Sequence, residues 1–154
     1  MKIFVLVLLA AGTALPAGDP AGFSLWKSAE LKAFATTLAP KLGANGFTSQ
    51  PLANLGNYNF ATVLRRQSGG AEVHETFNDI FVITAGEATL TVGGAVVDAK
   101  TTQPHEIRGT SITGGVDKKV AAGDVLTIPA KMPHQMKVDP GKEVGYLAIK
   151  VAAQ

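Results

Sequence analysis

Cysteine is absent from the 154-residue chain, and its absence excludes several kinds of chemistry. No disulfide can form, no lipid can be attached to a cysteine behind a leader, and neither a nucleophile nor a metal ligand can be a thiol. A domain of this length buries enough core to fold without disulfides. The lack of cysteine is therefore compatible with a periplasmic or extracellular protein.

The chain also lacks a strong net charge. It carries 14 basic and 12 acidic residues, and cleavage after Ala17 would remove only Lys2, leaving 13 − 12 = +1. Such a balance gives no reason to expect nucleic acid or an anionic membrane as a partner. The sequence contains neither a phosphate-binding glycine loop nor a serine nucleophile elbow.

The N-terminus has the layout of a secretory signal peptide. Lys2 precedes a short apolar run, and small residues follow up to Ala17. The run is shorter than the roughly 20 apolar residues of a membrane-spanning helix, and no basic cluster follows it. We predict a signal peptide over 1–17, a periplasmic or secreted mature protein, and no membrane attachment after cleavage. An uncleaved anchor is the alternative.

Residues 18–56 are predicted to form an N-terminal segment with one helix over about 28–39. Ser28 is a suitable N-cap, and Pro40 and Gly43 lie near the expected end. Because no second helical pattern is present, the apolar face should pack on the outside of a sheet. The residues of that face are Leu31, Phe34, Ala35, Leu38 and Leu42.

Short β-type runs separated by glycine and asparagine dominate residues 57–154. This density of strands predicts a sandwich or a barrel. A polar, glycine-rich excursion over 100–119 is interpreted as a mobile flap whose deletion should spare the fold, although it could hold a further hairpin. The predicted strands are 58–67, 71–75, 79–85, 88–92, 95–98, 125–128, 134–138 and 144–151.

Three histidines are the only imidazoles available for a site, at positions 74, 105 and 134. Glu72 and His74 share one face of a predicted strand, and Asp79 can turn back toward them. His134 follows a turn fixed by two prolines, whereas His105 in the excursion is expected to be solvated. Spacing alone leaves open that His74 and His134 are ordinary packed histidines.

The region around His74 resembles the first signature segment of the cupin superfamily. His74, Asp79 and Gly86 match its second histidine, its carboxylate and its closing glycine in register. Glu72 replaces the first histidine, and Arg66 replaces the opening glycine.

The second cupin segment is matched by Gly123, Pro129 and His134. Lys131 and Val138 occupy the positions of its second glycine and its asparagine. The resemblance extends over roughly 58–151, and the glycine-rich spacer between the segments looks like that of small bacterial cupins without a settled activity.

The resemblance implies an all-β, cupin-type jelly-roll β-barrel over 57–154, with the N-terminal helix packed outside. It further implies one divalent metal ion bound by His74 and His134, with Glu72 and Asp79 as the candidate carboxylate ligands. Iron, manganese, nickel, zinc and copper all suit such donors. Two carboxylates would balance the charge of the ion.

The function expected from this resemblance is a metal-dependent enzyme acting on a small organic molecule, of oxygenase, isomerase or lyase type. The alternatives are a non-catalytic module that binds a small ligand and a structural barrel whose site has decayed. No catalytic residue is assigned, although Glu72, Glu75 and His105 are candidate bases. Strand alternation places either Arg65 or Arg66 inside the barrel, where it could bind a substrate carboxylate. A homodimer is left open.

Phe60, Phe81, Met136 and Tyr146 are interpreted as plain barrel core rather than as pocket lining.

Overall fold

The structure is a computed structural model that describes residues 19–154. The predicted signal peptide lies outside the described residues, so its cleavage stays a prediction. Within 19–154, no helix combines the length and apolarity needed to cross a membrane.

Twelve strands account for most of the described chain. They are β1 (Phe47–Asn54), β2 (Tyr58–Arg65), β3 (Ala71–His74), β4 (Phe77–Val92), β5 (Ala95–Val97), β6 (Lys100–Gln103), β7 (Glu106–Gly109), β8 (Ser111–Thr113), β9 (Val116–Ala121), β10 (Val125–Ile128), β11 (His134–Lys137) and β12 (Val144–Ala152). One α-helix, α1 (Ser28–Leu38), precedes them and runs into a short 3-10 turn, Ala39–Lys41.

The strands form a curled antiparallel sheet in the order β1-β2-β12-β4-β11-β3-β7-β6. β9 and β10 pair with opposite ends of the long strand β4, and β5 pairs with β8 in a separate ribbon. The predicted all-β jelly-roll class is confirmed. β1 was not predicted, because Pro51 interrupts its pattern, and the pairing with β2 shifts register beside that proline.

Strand β4 covers two predicted strands, 79–85 and 88–92, and Gly86 lies between them. Gly86 has φ +67°, and a Cβ there would collide with the backbone carbonyl of Glu143. Only glycine combines this backbone conformation with such a close approach of the neighbouring chain. The glycine of the cupin segment thus marks the point where β4 passes the start of β12.

The helix packs outside the barrel, as predicted. Ala35 and Leu38 are buried against Leu64 in a cluster separate from the barrel core. Lys27, rather than Ser28, occupies the N-cap position, and its backbone N–H donates to the Glu30 carboxylate at 2.7 Å.

The barrel core is apolar and closed by residues from both sheet halves. Phe81, Met136 and Tyr146 belong to it, as predicted, but Phe81 and Tyr146 also line a cavity, which the prediction excluded. The prediction for Phe60 was wrong. Its ring lies on the other face of β2, where it packs against Trp26 at 5.6 Å.

The excursion over 100–119 forms strands β6 to β9, so its interpretation as a mobile flap was wrong, and the alternative of a further hairpin is confirmed by β6 and β7. β7 pairs with β3 along four residues, and β9 pairs with β4 along six. Val120, at the end of β9, is buried in the core. Polar side chains on β6 and β9 are exposed, while the backbones of these strands extend the sheet.

Candidate metal site

Three strands bring the candidate ligands together. Glu72 and His74 lie on β3, Asp79 on the first half of β4, and His134 opens β11. The antiparallel register places His134 directly opposite Glu72. Side chains opposite each other in such a pair are close neighbours on one face of the sheet.

The imidazoles and carboxylates converge on one small volume. The Nε2 atom of His74 lies 3.4 Å from both Glu72 Oε2 and Asp79 Oδ2, and Nε2 of His134 lies 3.7 Å from Asp79 Oδ2. Glu72, His74 and His134 each offer one ligand atom, and these three atoms lie within 4.8 Å of one another. For comparison, about 3.4 Å separates the donors of a tetrahedral site with bonds of about 2.1 Å.

Both histidines are oriented by a contact at the other ring nitrogen. Nδ1 of His74 lies 2.7 Å from Glu106 Oε2, and Nδ1 of His134 lies 3.1 Å from the backbone carbonyl of Met132. Since these acceptors hold the proton on Nδ1, the Nε2 lone pairs face the convergent volume. Nε2 of His134 is buried, and no residue of 19–154 supplies it with a hydrogen bond.

The carboxylates of Glu72 and Asp79 each have one oxygen paired with a basic side chain and one oxygen facing the imidazoles. Glu72 Oε1 lies 2.6 Å from Arg108 and 3.5 Å from Arg65, while Oε2 faces His74. Asp79 Oδ1 accepts a hydrogen bond from Lys150 at 2.9 Å. The two imidazole nitrogens and the Glu72 oxygen are donors that suit a divalent ion, whereas Asp79 is not part of the set within 4.8 Å.

The charges around the site separate the pKa values of its members. Burial alone would raise the pKa of Glu72, but the contact with His74 and the charges of Arg108 and Arg65 outweigh it and lower the pKa to about 2. For His74, burial lowers the pKa, yet Glu72 and Asp79 raise it above its usual value. Burial lowers the pKa of His134, which keeps that ring neutral and able to bind metal.

A cavity of about 210 Å³ opens beside these residues. Arg65 lies in its wall with a side chain only 13% exposed, whereas the Arg66 side chain is 51% exposed and pairs with Glu143. The interior arginine predicted by strand alternation is thus Arg65. It donates to the Tyr146 hydroxyl at 3.1 Å and lies over the ring of Phe47. Burial raises the pKa of Tyr146, so the phenol is neutral.

Two of the three candidate bases lie away from the cavity. His105 and Glu75 form an exposed pair, 3.2 Å apart, and neither lines the cavity. The expectation that His105 is solvated is confirmed. Glu72 is the candidate base that does line the cavity, but it is tied to two arginines.

Sequence reasoning missed three of the residues that shape the site, namely Glu106, Arg108 and Lys150. Glu106 and Arg108 are two apart on β7, a spacing that puts both on the sheet face that also carries their partners on β3, Glu72 and His74. Lys150 follows Tyr146 at an interval of four on β12 and therefore shares its side of the strand. Alternation within each strand could have indicated these faces, but not their partners.

No family model matches the chain, and no curated protein matches it in sequence. Solved structures do match. The protein TT1209 from Thermus thermophilus aligns with TM-score 0.55 and 15% identity, covering 76% of this chain and 92% of its own. The polyketide cyclase RemF from Streptomyces resistomycificus aligns with TM-score 0.51 and 15% identity, covering 74% and 70% respectively.

A cupin 2 conserved barrel domain protein from Rhodopseudomonas palustris aligns with TM-score 0.50 and 19% identity, covering 70% of this chain and 62% of its own. The chain therefore has the cupin jelly-roll fold, as the two signature segments predicted. Identities this low establish the fold alone.

Proposed function

We propose that the chain is a metal-binding cupin that holds one divalent ion with Nε2 of His74, Nε2 of His134 and a carboxylate oxygen of Glu72. Asp79 is the fourth proposed ligand. The observation that carries the proposal is the buried, unpartnered Nε2 atom of His134, which lies 3.7 Å from Asp79 Oδ2 and within 4.8 Å of donor atoms of Glu72 and His74. A metal ion would remove the cost of leaving that nitrogen unpaired.

The proposed activity is that of a metal-dependent enzyme acting on a small organic molecule held in the adjoining cavity. Iron, manganese, nickel, zinc and copper all accept this nitrogen and oxygen set. When bound, such an ion supplies a Lewis acid that polarises an oxygen of the ligand. Glu106 and the Met132 carbonyl hold the imidazoles in the required tautomer, while Arg108 and Lys150 fix the carboxylates.

A non-catalytic, metal-free binding module is the second candidate, and one observation favours it. The carboxylates that would bind the ion are already paired with Arg108 and Lys150. In this alternative His74 is the protonated centre of an ion-pair network between Glu72 and Glu106, and the cavity binds its ligand without an ion.

Elemental analysis of protein purified without a histidine tag separates the two candidates. We expect one equivalent of metal in the wild type, none in His74→Ala or His134→Ala, and reduced content in Glu72→Ala and Asp79→Ala. His105→Ala is the matched control, because its ring is exposed and paired only with Glu75. Full metal content in a folded double variant lacking both site histidines would refute the metal proposal.

We also propose that the protein is exported, on the basis of the N-terminal leader. The proposal concerns residues 1–17, which lie outside the described residues. Mass spectrometry of the protein from the periplasm or medium should give a mass that begins near Gly18. A product that begins at Met1 and stays with the membranes would contradict export.

A further inference from the structure

Six charged side chains surround the site, and their charges cancel without an ion. The three acids are Glu72, Asp79 and Glu106, and the three bases are Arg65, Arg108 and Lys150. The sequence-based expectation that two carboxylates balance the ion is therefore incomplete, because bases already balance them. A bound divalent ion would leave about two positive charges in a partly buried pocket, which is costly unless an anion joins them.

The bases of this network border the cavity itself. Arg65, Arg108 and Lys150 all line it, with side chains 13%, 43% and 30% exposed. Arg65 is held in place by the Tyr146 hydroxyl and by the ring of Phe47. A guanidinium that is already fixed loses little entropy when it binds a carboxylate.

Most of the remaining residues of the cavity wall are apolar, although Ser49 and Tyr146 add hydroxyl groups. The apolar ones are Phe47, Ala61, Val63, Phe81 and Ala148. A wall of this kind favours a ligand with a carbon skeleton over a bare inorganic ion, because burial of apolar surface contributes to binding. The volume of about 210 Å³ limits the skeleton to a small one.

From these features we infer that the ligand of this cavity is a small organic acid, whose carboxylate is bound by Arg65 and Lys150 and whose apolar part packs against Phe47, Val63 and Phe81. This inference rests on the proposed function in one respect, because the proposed metal ion supplies the excess positive charge. The positions of the basic residues do not depend on that ion. It adds to that function the chemical class of the substrate.

The inference is tested with benzoate and benzamide, which have nearly the same shape and differ in charge. Calorimetric titration with each probe is carried out on zinc-loaded protein and on chelator-treated protein. We expect benzoate to bind at least about tenfold more tightly than benzamide, because a charge-assisted hydrogen bond contributes about that factor or more. Inorganic phosphate serves as a probe of charge without an apolar part and should bind more weakly than benzoate.

Variants then identify the side chains that bind the carboxylate of the ligand. Lys150→Gln and Arg65→Gln should each weaken benzoate binding about ten- to a hundredfold. Arg66→Gln and Lys142→Gln are the matched controls, since both side chains are exposed, lie outside this cavity and pair with surface acids. Their affinity for benzoate should equal that of the wild type.

The outcomes separate this inference from the metal proposal. Benzoate binding to a protein that takes up none of iron, manganese, nickel, zinc or copper would refute the metal and support the organic acid. Stoichiometric zinc with equal affinity for benzoate and benzamide, or with no binding of either, would overturn the organic acid and leave the metal. Phosphate that binds more tightly than benzoate would overturn the role of the apolar wall. The wild-type comparisons remain decisive even if Arg65→Gln fails to fold.

Discussion

Replacing Glu72 by glutamine should change the stability of the metal-free protein in a pH-dependent way. The pKa of Glu72 falls from 4.5 to about 2 on folding, and the difference, 4.5 − 2 = 2.5, corresponds to about 3 kcal/mol. Because the folded-state pKa is the lower one, this stability is present above pH 4.5 and is lost as the pH falls toward 2. Glutamine keeps the size of the side chain but has no ionisable carboxyl group, so it cannot contribute this stability.

His74 has the opposite dependence on pH. Its pKa is raised in the folded protein, so its contribution is present below the unfolded value of 6.5 and is lost as the pH rises through the folded value. A measurement near pH 6 therefore captures the Glu72 contribution almost in full.

Urea unfolding in the presence of a chelator provides the assay. At pH 6 we expect Glu72→Gln to lose about 3 kcal/mol of unfolding free energy attributable to ionisation, and at pH 3 about 1.5 kcal/mol. Effects unrelated to ionisation cancel in the comparison between the two pH values. Glu143→Gln, which breaks an exposed pair with Arg66, should cost less than about 1 kcal/mol at both. An equal loss for Glu72→Gln at pH 6 and pH 3 would refute this account of the site's electrostatics.

Three further changes test neighbouring features. Glu106→Gln should lower zinc affinity about 10- to 100-fold, because it weakens the contact that orients His74. Glu75→Gln, which breaks the exposed pair with His105, should leave the zinc affinity measured by calorimetry unchanged. Equal effects of the two changes would contradict the positioning role of Glu106. Lys131→Gly should raise the unfolding free energy by up to about 1 kcal/mol, since Lys131 has φ 68°, and a loss in urea unfolding would show that the lysine is not strained. Gly86→Ala should destabilise by more than about 2 kcal/mol, because its methyl group meets the Glu143 backbone, and an unchanged melting curve would contradict this.

The parts of the site that follow from local sequence were predictable. Alternation places Glu72 and His74 on one face and one of the two neighbouring arginines inside, and the structure shows that the interior one is Arg65 and not Arg66. The segment around His134 begins a strand, as its prolines suggested. These features depend only on the geometry of single strands.

The remaining features depend on which strands become neighbours. Glu106 meets His74 because β7 pairs with β3, and this pairing joins residues 32 positions apart. Lys150 meets Asp79 because β12 lies beside β4. Period-two patterns carry no information about the partner of a strand, so a polar stretch such as 100–119 resembles a loop until its neighbour is known.

In the resemblance to the first cupin segment, Glu72 takes the place of a histidine, which raises the question of whether the site has decayed, and the surrounding charges bear on it. A neutral histidine changed to glutamate adds one negative charge to a buried set, which would be costly if nothing else had changed. Here Arg108 lies 2.6 Å from Glu72, and Arg65 approaches the same oxygen. The second oxygen still faces His74, and His134 stands opposite in register. Both candidate functions require this compensation, because an unpaired buried charge is costly with or without an ion. Metal content therefore decides between an altered ligand set and an ion-pair network.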